Sequence, residues 1–460
     1  MAKEMISEAI KAEDSYRAAF TALQSTAAGA QRPSWFELLR ESAMDRFEEL
    51  GFPSTTDEEW KYTNVARLRQ TDFSPLAARD GSRLAISDSQ LTDFSYPEAR
   101  GTQLVFVNGL LNEQLSSLSE LPAGVAAMSF AAALGSQQYG EVMRTYLGRI
   151  VDYAENGFTA LNTAFVADGA LVVIPKGVSV TSPLHLLFLT NPVHPVPAVF
   201  PRVLLVAEEN SGATIIESYR DLASCHRVSA GSYITNAVVE IILKEGARLE
   251  HYRVQDESPE AFHVTTTRAD LGRSSSFDTT SITLGAQLSR HNVEVIMDHE
   301  GAECWVDGLY IVANGQHADT HSVIDHKQPH CTSHQLYKGI LDGKSRAVFN
   351  GKVFVRHGAM GTDANQTNKN LLLSNDAQVD TKPQLEIFAD DVKCAHGAAI
   401  GQLDEDELFY LSSRGIHLDL ARNLLTYGFA EEVIAKIKID SIKAQLDEAV
   451  LNRLNARLEA

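Results

Sequence analysis

A thiol and an imidazole stand two residues apart in the stretch 388–416, FADDVKCAHGAAIGQLDEDELFYLSSRGI. If Val392 to Gly397 is extended, side chains alternate between two faces, so Cys394 and His396 share one face while Lys393 and Ala395 take the other. Both residue types ligate zinc, copper or iron, and a neighbouring imidazole can lower a thiol's pKa to give the nucleophilic thiolate. The competing reading is that Phe388, Val392 and Cys394 simply face a core, since free cysteine is among the most buried residue types.

A second group of potential ligands lies upstream: His317, His321, His326, His330 and His334, with Cys331 among them and Asp319 and Asp325 nearby. On an extended strand His317, Asp319 and His321 share a face, but a mononuclear site needs three or four groups converging on one point, and this spacing does not force convergence. Gly339-Ile-Leu-Asp-Gly343-Lys344-Ser345 is one residue short of a phosphate-binding loop and runs into a strand-like segment rather than a helix, so it is a decoy. Asp390 and Asp391 are adjacent and point to opposite faces of a strand, which does not suit a glycosidase pair; Asp298 and Glu300 share parity.

The chain has 460 residues, 44% hydrophobic and 22% charged, enough for two or three domains and a large core. Its 60 acids against 40 bases give a net charge of −20, which disfavours unaided binding to nucleic acid or anionic lipid. No stretch reaches the run of about 18 apolar residues that a membrane span needs, and the N-terminus carries acids rather than a signal-peptide core. A cytoplasmic protein is expected. Four cysteines, Cys225, Cys304, Cys331 and Cys394, lack any paired spacing, so the thiols are expected to be reduced.

Positioning elements follow from periodicity. Residues 1–22 and 34–50 read as helices, the second opening at Ser34 after Pro33 and closing at Gly51; Glu58 to Leu68 reads as a third, and helical pattern returns near 137–154. From Leu104 to about 402 the chain reads as short β-branched strands. Within them a polar turn, a small residue and alternating apolar positions recur: NSGATIIE, KEGARLEH, GRSSSFDT, HEGAECWV, GKSRAVFN and SNDAQVDT. The repeat favours a parallel β-helix over a sandwich or jelly roll. After Leu403 the period is helical: Asp404 and Glu407 fit a capping box, Gly415 a helix end, a second helix runs to Gly428, and a third carries an apolar stripe of Ile439, Ile442, Leu446, Val450 and Leu454. The expected organisation is an N-terminal helical region over 1–100, a β-helix core over 101–403 and a C-terminal helical domain over 404–460. The tail is too short to bury its stripe alone, so the stripe must pack on the N-terminal helices, on the β-helix or on another protein, and docking of a partner is the expectation.

F-A-D-D-V-K-C-A-H-G-A followed by L-F-Y-L-S-S-R-G-I resembles the C-terminal signature of the SufD branch of the SufB/SufD family of iron–sulfur cluster assembly. LNTAF at 161–165, EEWKYT at 58–63, HSVIDHKQPHCTSHQLYKGIL at 321–341 and NQTNKNLLLS at 365–374 are similar to it as well, so the likeness covers nearly the whole chain. The resemblance implies a mainly β fold with a right-handed parallel β-helix core. It implies a non-enzymatic scaffold that pairs with a SufB-like paralogue through the C-terminal end of the β-helix and recruits a SufC-like ATPase through the C-terminal helical domain. An isolated homodimer is compatible with the same edge. By resemblance His396, and to a lesser degree Cys394, serve an iron–sulfur cluster formed transiently at the junction with the paralogue, none being expected on the isolated chain. The rival readings are a carbohydrate-active β-helix and a purely structural interaction solenoid.

Overall fold

The recurring turn phrase marks where successive coils of a solenoid enter a strand. NSGATIIE, KEGARLEH, GRSSSFDT and HEGAECWV lead into Gly212–Asp221, Arg248–Asp256, Ser276–Thr283 and Glu303–Val312, which stack in parallel with Gly212, Arg248, Ser276 and Glu303 in register. GKSRAVFN and SNDAQVDT instead open Arg346–Val355 and Gln378–Ile387 of the opposite sheet, which is why the spacing breaks there. A computed structural model describes residues 15–25, 32–71, 73–75, 86–192, 196–222 and 231–456. Within them an 11-stranded sheet A ends at Gln378–Ile387 and a 10-stranded sheet B ends at Lys393–Gly401. Consecutive strands of the solenoid alternate between the two sheets, giving about eight coils of parallel β-structure with helices at both ends.

Strands of this kind are covered on both faces, so they do not alternate cleanly between apolar and polar. Ile234–Leu243 is buried at all ten positions. Its Ala237, Val239, Ile241 and Leu243 line the lumen, where they join Leu205, Ala269 and Val295 from neighbouring coils. Its Ile234 meets an aromatic layer supplied by the N-terminal helices.

Those helices are α1 (residues 15–24), α2 (Ser34–Leu50), α3 (Ala66–Gln70), α4 (Asp88–Phe94), α5 (Phe130–Leu134), α6 (Gln137–Tyr146) and α7 (Gly157–Phe165). Helix α2 has the expected bounds, with Gly51 at φ 62° closing it. The expected first helix is described only from residue 15. Two readings are corrected. Glu58 to Leu68 is not one helix: Glu58–Trp60 is a 3-10 turn and α3 starts at Ala66, because Trp60 and Thr63 are drawn onto sheet A and Asn64 caps the amide of Ala66 at 2.8 Å. The 137–154 helix stops at Tyr146, because the amides of Gly148, Ile150 and Val151 turn to the buried carboxylate of Glu240.

The tail forms α8 (Glu405–Ser413), α9 (Leu418–Ile434) and α10 (Asp440–Ala456). Asp404 accepts from the amides of Asp406 and Glu407, and Gly415 follows α8 at φ 87°. Helix α9 does not end at Gly428 but continues to Ile434; burial of Ala430, Val433 and Ile434 against the solenoid outweighs the roughly 1 kcal/mol that a helical glycine costs. The stripe also has an occupant within the chain. Ile439, Ile442, Leu446 and Val450 are buried in one cluster with Tyr252, Ile282, Ile311 and Ile340 on the outer face of sheet B, so this stripe is not a free docking surface. The side chain of Leu454 lies outside the described residues.

Candidate functional site

Cys394 and His396 lie on Lys393–Gly401, the last strand of sheet B, in register with Ala364 and Gln366 of the strand before it. Both partners are buried lumen residues. The pair therefore shares the lumen face of the final coil, with Lys393 and Ala395 opposite. Cys394 is half-buried against the lumen core and His396 is exposed, because no further coil among the described residues covers it. The same open end presents the unpaired edge of Gln378–Ile387 in sheet A, together with exposed Ile387, Phe388 and Ile400. An uncovered edge beside apolar side chains is a template for another chain.

Burial and the nearby Asp363 raise the pKa of the Cys394 thiol, so in the isolated chain it is a protonated thiol rather than a thiolate activated by His396. Among the described residues no group of three or more histidine, cysteine and carboxylate side chains is arranged to hold a metal. Two donors on one strand undersupply a metal centre, so the remaining ligands of any cluster handled here would come from outside the chain.

The upstream histidines are dispersed. His317, Asp319 and His321 do share the outer face of sheet A, but their partners are other protein groups. Thr63 donates to Asp319 at 2.5 Å and bonds His317 at 3.2 Å; Arg290 donates to Asp319 at 2.6 Å; His321 contacts Asp319 at 3.2 Å and Glu59 at 3.0 Å. Lys352 joins Glu59 at 2.6 Å, and the Arg290 guanidinium sits 4.2 Å from the Trp60 ring. EEWKYT is thus a strap, fastened by charge to the solenoid. His326 faces the lumen and bonds Ser333 at 2.8 Å, His330 occupies a turn at φ 59°, and His334 stacks on Trp305. Cys304 and Cys331 are buried free thiols; Cys225 lies outside the described residues.

The other recurring signatures are also structural. In LNTAF, Asn162 donates to the carbonyls of Pro201 and Asn236, while Arg202 holds Asn162 and Thr163 and pairs with Glu240 at 2.7 Å in full burial. Gly339 lies within the strand Thr332–Leu341 under the ring of Tyr310, which would lie 2.0 Å from an added Cβ, and the chain turns at 342–345 into another strand. That is not a phosphate cradle. Asp298 and Glu300 form separate ion pairs with Lys327 at 2.8 Å and Arg273 at 3.0 Å.

The tail does expose an apolar surface, on a different face from the expected one. Phe409 is 75% exposed and Leu420 53%, with Tyr410, Leu418 and Leu424 also open, all on α8 and α9. Sequence periodicity could not separate this face from the buried one, because α9 is apolar on both sides.

Comparison with known proteins gives two family matches. Residues 188–429 match the model described as SUF system FeS cluster assembly, SufBD core domain, and residues 10–186 match the SufBD protein N-terminal region. An iron–sulfur cluster assembly SufBD family protein of Synechocystis sp. is 40% identical over 89% of each chain. The iron–sulfur cluster assembly protein SufD of Escherichia coli is 30% identical over 89% of this chain and 90% of its own. A chloroplastic protein of Arabidopsis thaliana, ABCI7, is 29% identical over 88% of this chain and 84% of its own.

Proposed function

This chain belongs to the SufBD family of the SUF iron–sulfur cluster assembly system, and on that premise we propose that it is a non-enzymatic scaffold subunit of the SufD kind. The observation that carries this reading is the open end of the solenoid, where both sheet edges are unpaired and His396 and Cys394 stand on the lumen rim. A SufB-like paralogue with a similar coil would continue both sheets and bring the missing ligands, placing His396 and Cys394 at the junction where a cluster is assembled and handed on. The cluster is cargo. In isolation the same edges can pair with a second copy.

Recruitment of a SufC-like ATPase is assigned to α8 and α9 within 404–460, through the exposed patch around Phe409, Tyr410, Leu420 and Leu424. The nucleotide chemistry belongs to that partner. Free Cys304, Cys331 and Cys394 support a reducing, cytoplasmic setting. The carbohydrate-enzyme reading is dropped, since Asp298 and Glu300 are each held by a separate surface cation.

The deciding experiment is co-purification of the tagged full chain from native extract, with subunit masses, iron and labile sulfide measured on the complex. A paralogous β-helical subunit and an ATPase with bound iron and sulfide are expected. A chain that purifies free of both partners would remove the proposal.

A further inference from the structure

The strap does not seal the face of sheet A that it crosses. A cleft of about 570 Å³ lies between that face, residues 57–60 of the strap and the segment 151–157 that leads into α7, a volume typical of small-molecule sites. Two ladder rows on the outer face of the sheet make its floor, with Thr266 and Asn292 in one and Arg268, Glu294, Val323 and Lys352 in the other.

The lining holds six carboxylates against three arginine or lysine side chains, and those cations are already committed. Lys352 pairs with Glu59 at 2.6 Å, Arg290 with Asp319 at 2.6 Å and Arg268 with Asp270 at 2.9 Å. Glu294 is left without a hydrogen bond to any described residue, its nearest cation being Arg268 at 3.8 Å. Burial raises the Glu294 carboxyl against the pull of Arg268, and the nearby Asp270, Glu155 and Glu59 add to the rise. Glu155, on the facing wall, is exposed and has no ion pair among the described residues. A second feature is independent of these carboxylates. Trp60 lines the cleft at 6% exposure, stacked on Phe158 and covered by Arg290, yet its indole N–H donates to no described residue, so that donor is left to the cleft.

Charge selects the ligand. The surplus of carboxylates disfavours an anion, and among the described residues no group of three or more histidine, cysteine and carboxylate side chains is arranged to hold a metal. An ammonium group does not need such convergence, because its three donors reach separate acceptors, and each bond to a carboxylate is charge-assisted. The Trp60 N–H calls in addition for an acceptor on the same ligand.

We propose that the cleft beneath the strap binds a small organic cation, a primary ammonium compound that carries a hydrogen-bond acceptor, as basic amino acids and their amides do. Glu294 and Glu155 receive the ammonium, and the Trp60 N–H donates to the acceptor. A ligand held there ties the strap to sheet A and to the start of α7, so it stabilises the N-terminal region by mass action.

The test is isothermal titration calorimetry of the full chain at low salt with L-lysinamide, beside acetamide, which keeps the acceptor but lacks the ammonium. Saturable one-to-one binding of L-lysinamide and none of acetamide is expected. Glu294→Gln should weaken L-lysinamide binding about tenfold or more, and Glu300→Gln, on a surface carboxylate that does not line the cleft, should leave it unchanged. Absence of saturable L-lysinamide binding at millimolar concentration, or equal affinity in wild type and folded Glu294→Gln, would overturn the proposal. Should Glu294→Gln not fold, Glu155→Gln, on an exposed side chain, decides by the same comparison.

Discussion

His396 stands directly on Gln366 in the final rung of sheet B, and nothing among the described residues stands on His396. A residue in that position contributes little to the fold of its own chain, because burial and stacking act on one side only. His396→Ala is therefore expected to leave thermal stability and partner binding within about 0.5 kcal/mol of wild type, while iron and labile sulfide on the co-purified complex fall sharply. Cys394→Ala should give a smaller loss of loading. Wild-type loading in His396→Ala would return the solenoid to a purely structural role.

The docking face proposed for the ATPase separates two substitutions. Phe409→Asp, on the open patch, should abolish ATPase recruitment with the fold intact. Ile442→Ala, on the buried stripe, should lower stability by about 2–5 kcal/mol through the cavity it leaves. Recruitment by pull-down and unfolding by calorimetry would be measured on both. Full recruitment by folded Phe409→Asp would move the docking surface elsewhere.

The strap depends on Trp60, which is 6% exposed, stacked on Phe158 and covered by Arg290. Trp60→Ala should cost about 3–5 kcal/mol and open the 58–70 segment to limited proteolysis. Glu59 fastens the same strap, and bonds from His321 and then Lys352 lower its carboxyl to about 2. Its contribution is present above the unfolded value near 4.3 and is lost as pH falls toward 2; with the side chain half-exposed it amounts to about 1 kcal/mol at most. Protease resistance of the segment in Trp60→Ala at wild-type stability would contradict this role.

Gly308 has no room for a side chain, since a Cβ there would lie 2.1 Å from the Tyr337 ring. Gly308→Ala should destabilise by about 1–3 kcal/mol, and Tyr337→Leu should recover part of that loss in the double variant. Additive losses in denaturant titration would mean that the ring contact is not the cause.

Burial lowers the imidazole of His326 to about 4, against the opposing pull of Asp325, which Arg356 holds at 2.8 Å. The unfolded chain takes up this proton below about 6.5 and the native chain only below about 4, so stability should fall as pH drops between those values and level off below them. The drop attributable to His326 is about 3 kcal/mol, and His326→Gln should flatten that part of the pH profile. An unaltered profile in the variant would assign the acid sensitivity to other buried groups, of which His185, lowered to about 3, is the next to test.

Much of the architecture was legible in sequence. The turn phrase announced stacked coils, the bounds of α2 followed from Pro33 and Gly51, and strand parity put Cys394 and His396 on one face, because each depends on backbone geometry over a few residues. Tertiary structure decided what those faces meet. The same alternation that places His251 and Arg253 together also suits a solvated strand, and only closure of the coil turns it into a charged lumen. Spacing alone did not force the histidines from 317 to 334 to converge, and the fold divides them between lumen, turn and the outer face that meets the strap residues Glu59 and Thr63, about 260 residues away in sequence. The stripe on α10 declared that it would be covered, but its amphipathic period carries no partner identity. The outer face of sheet B supplied the cover, leaving α8 and α9 to present the apolar surface instead.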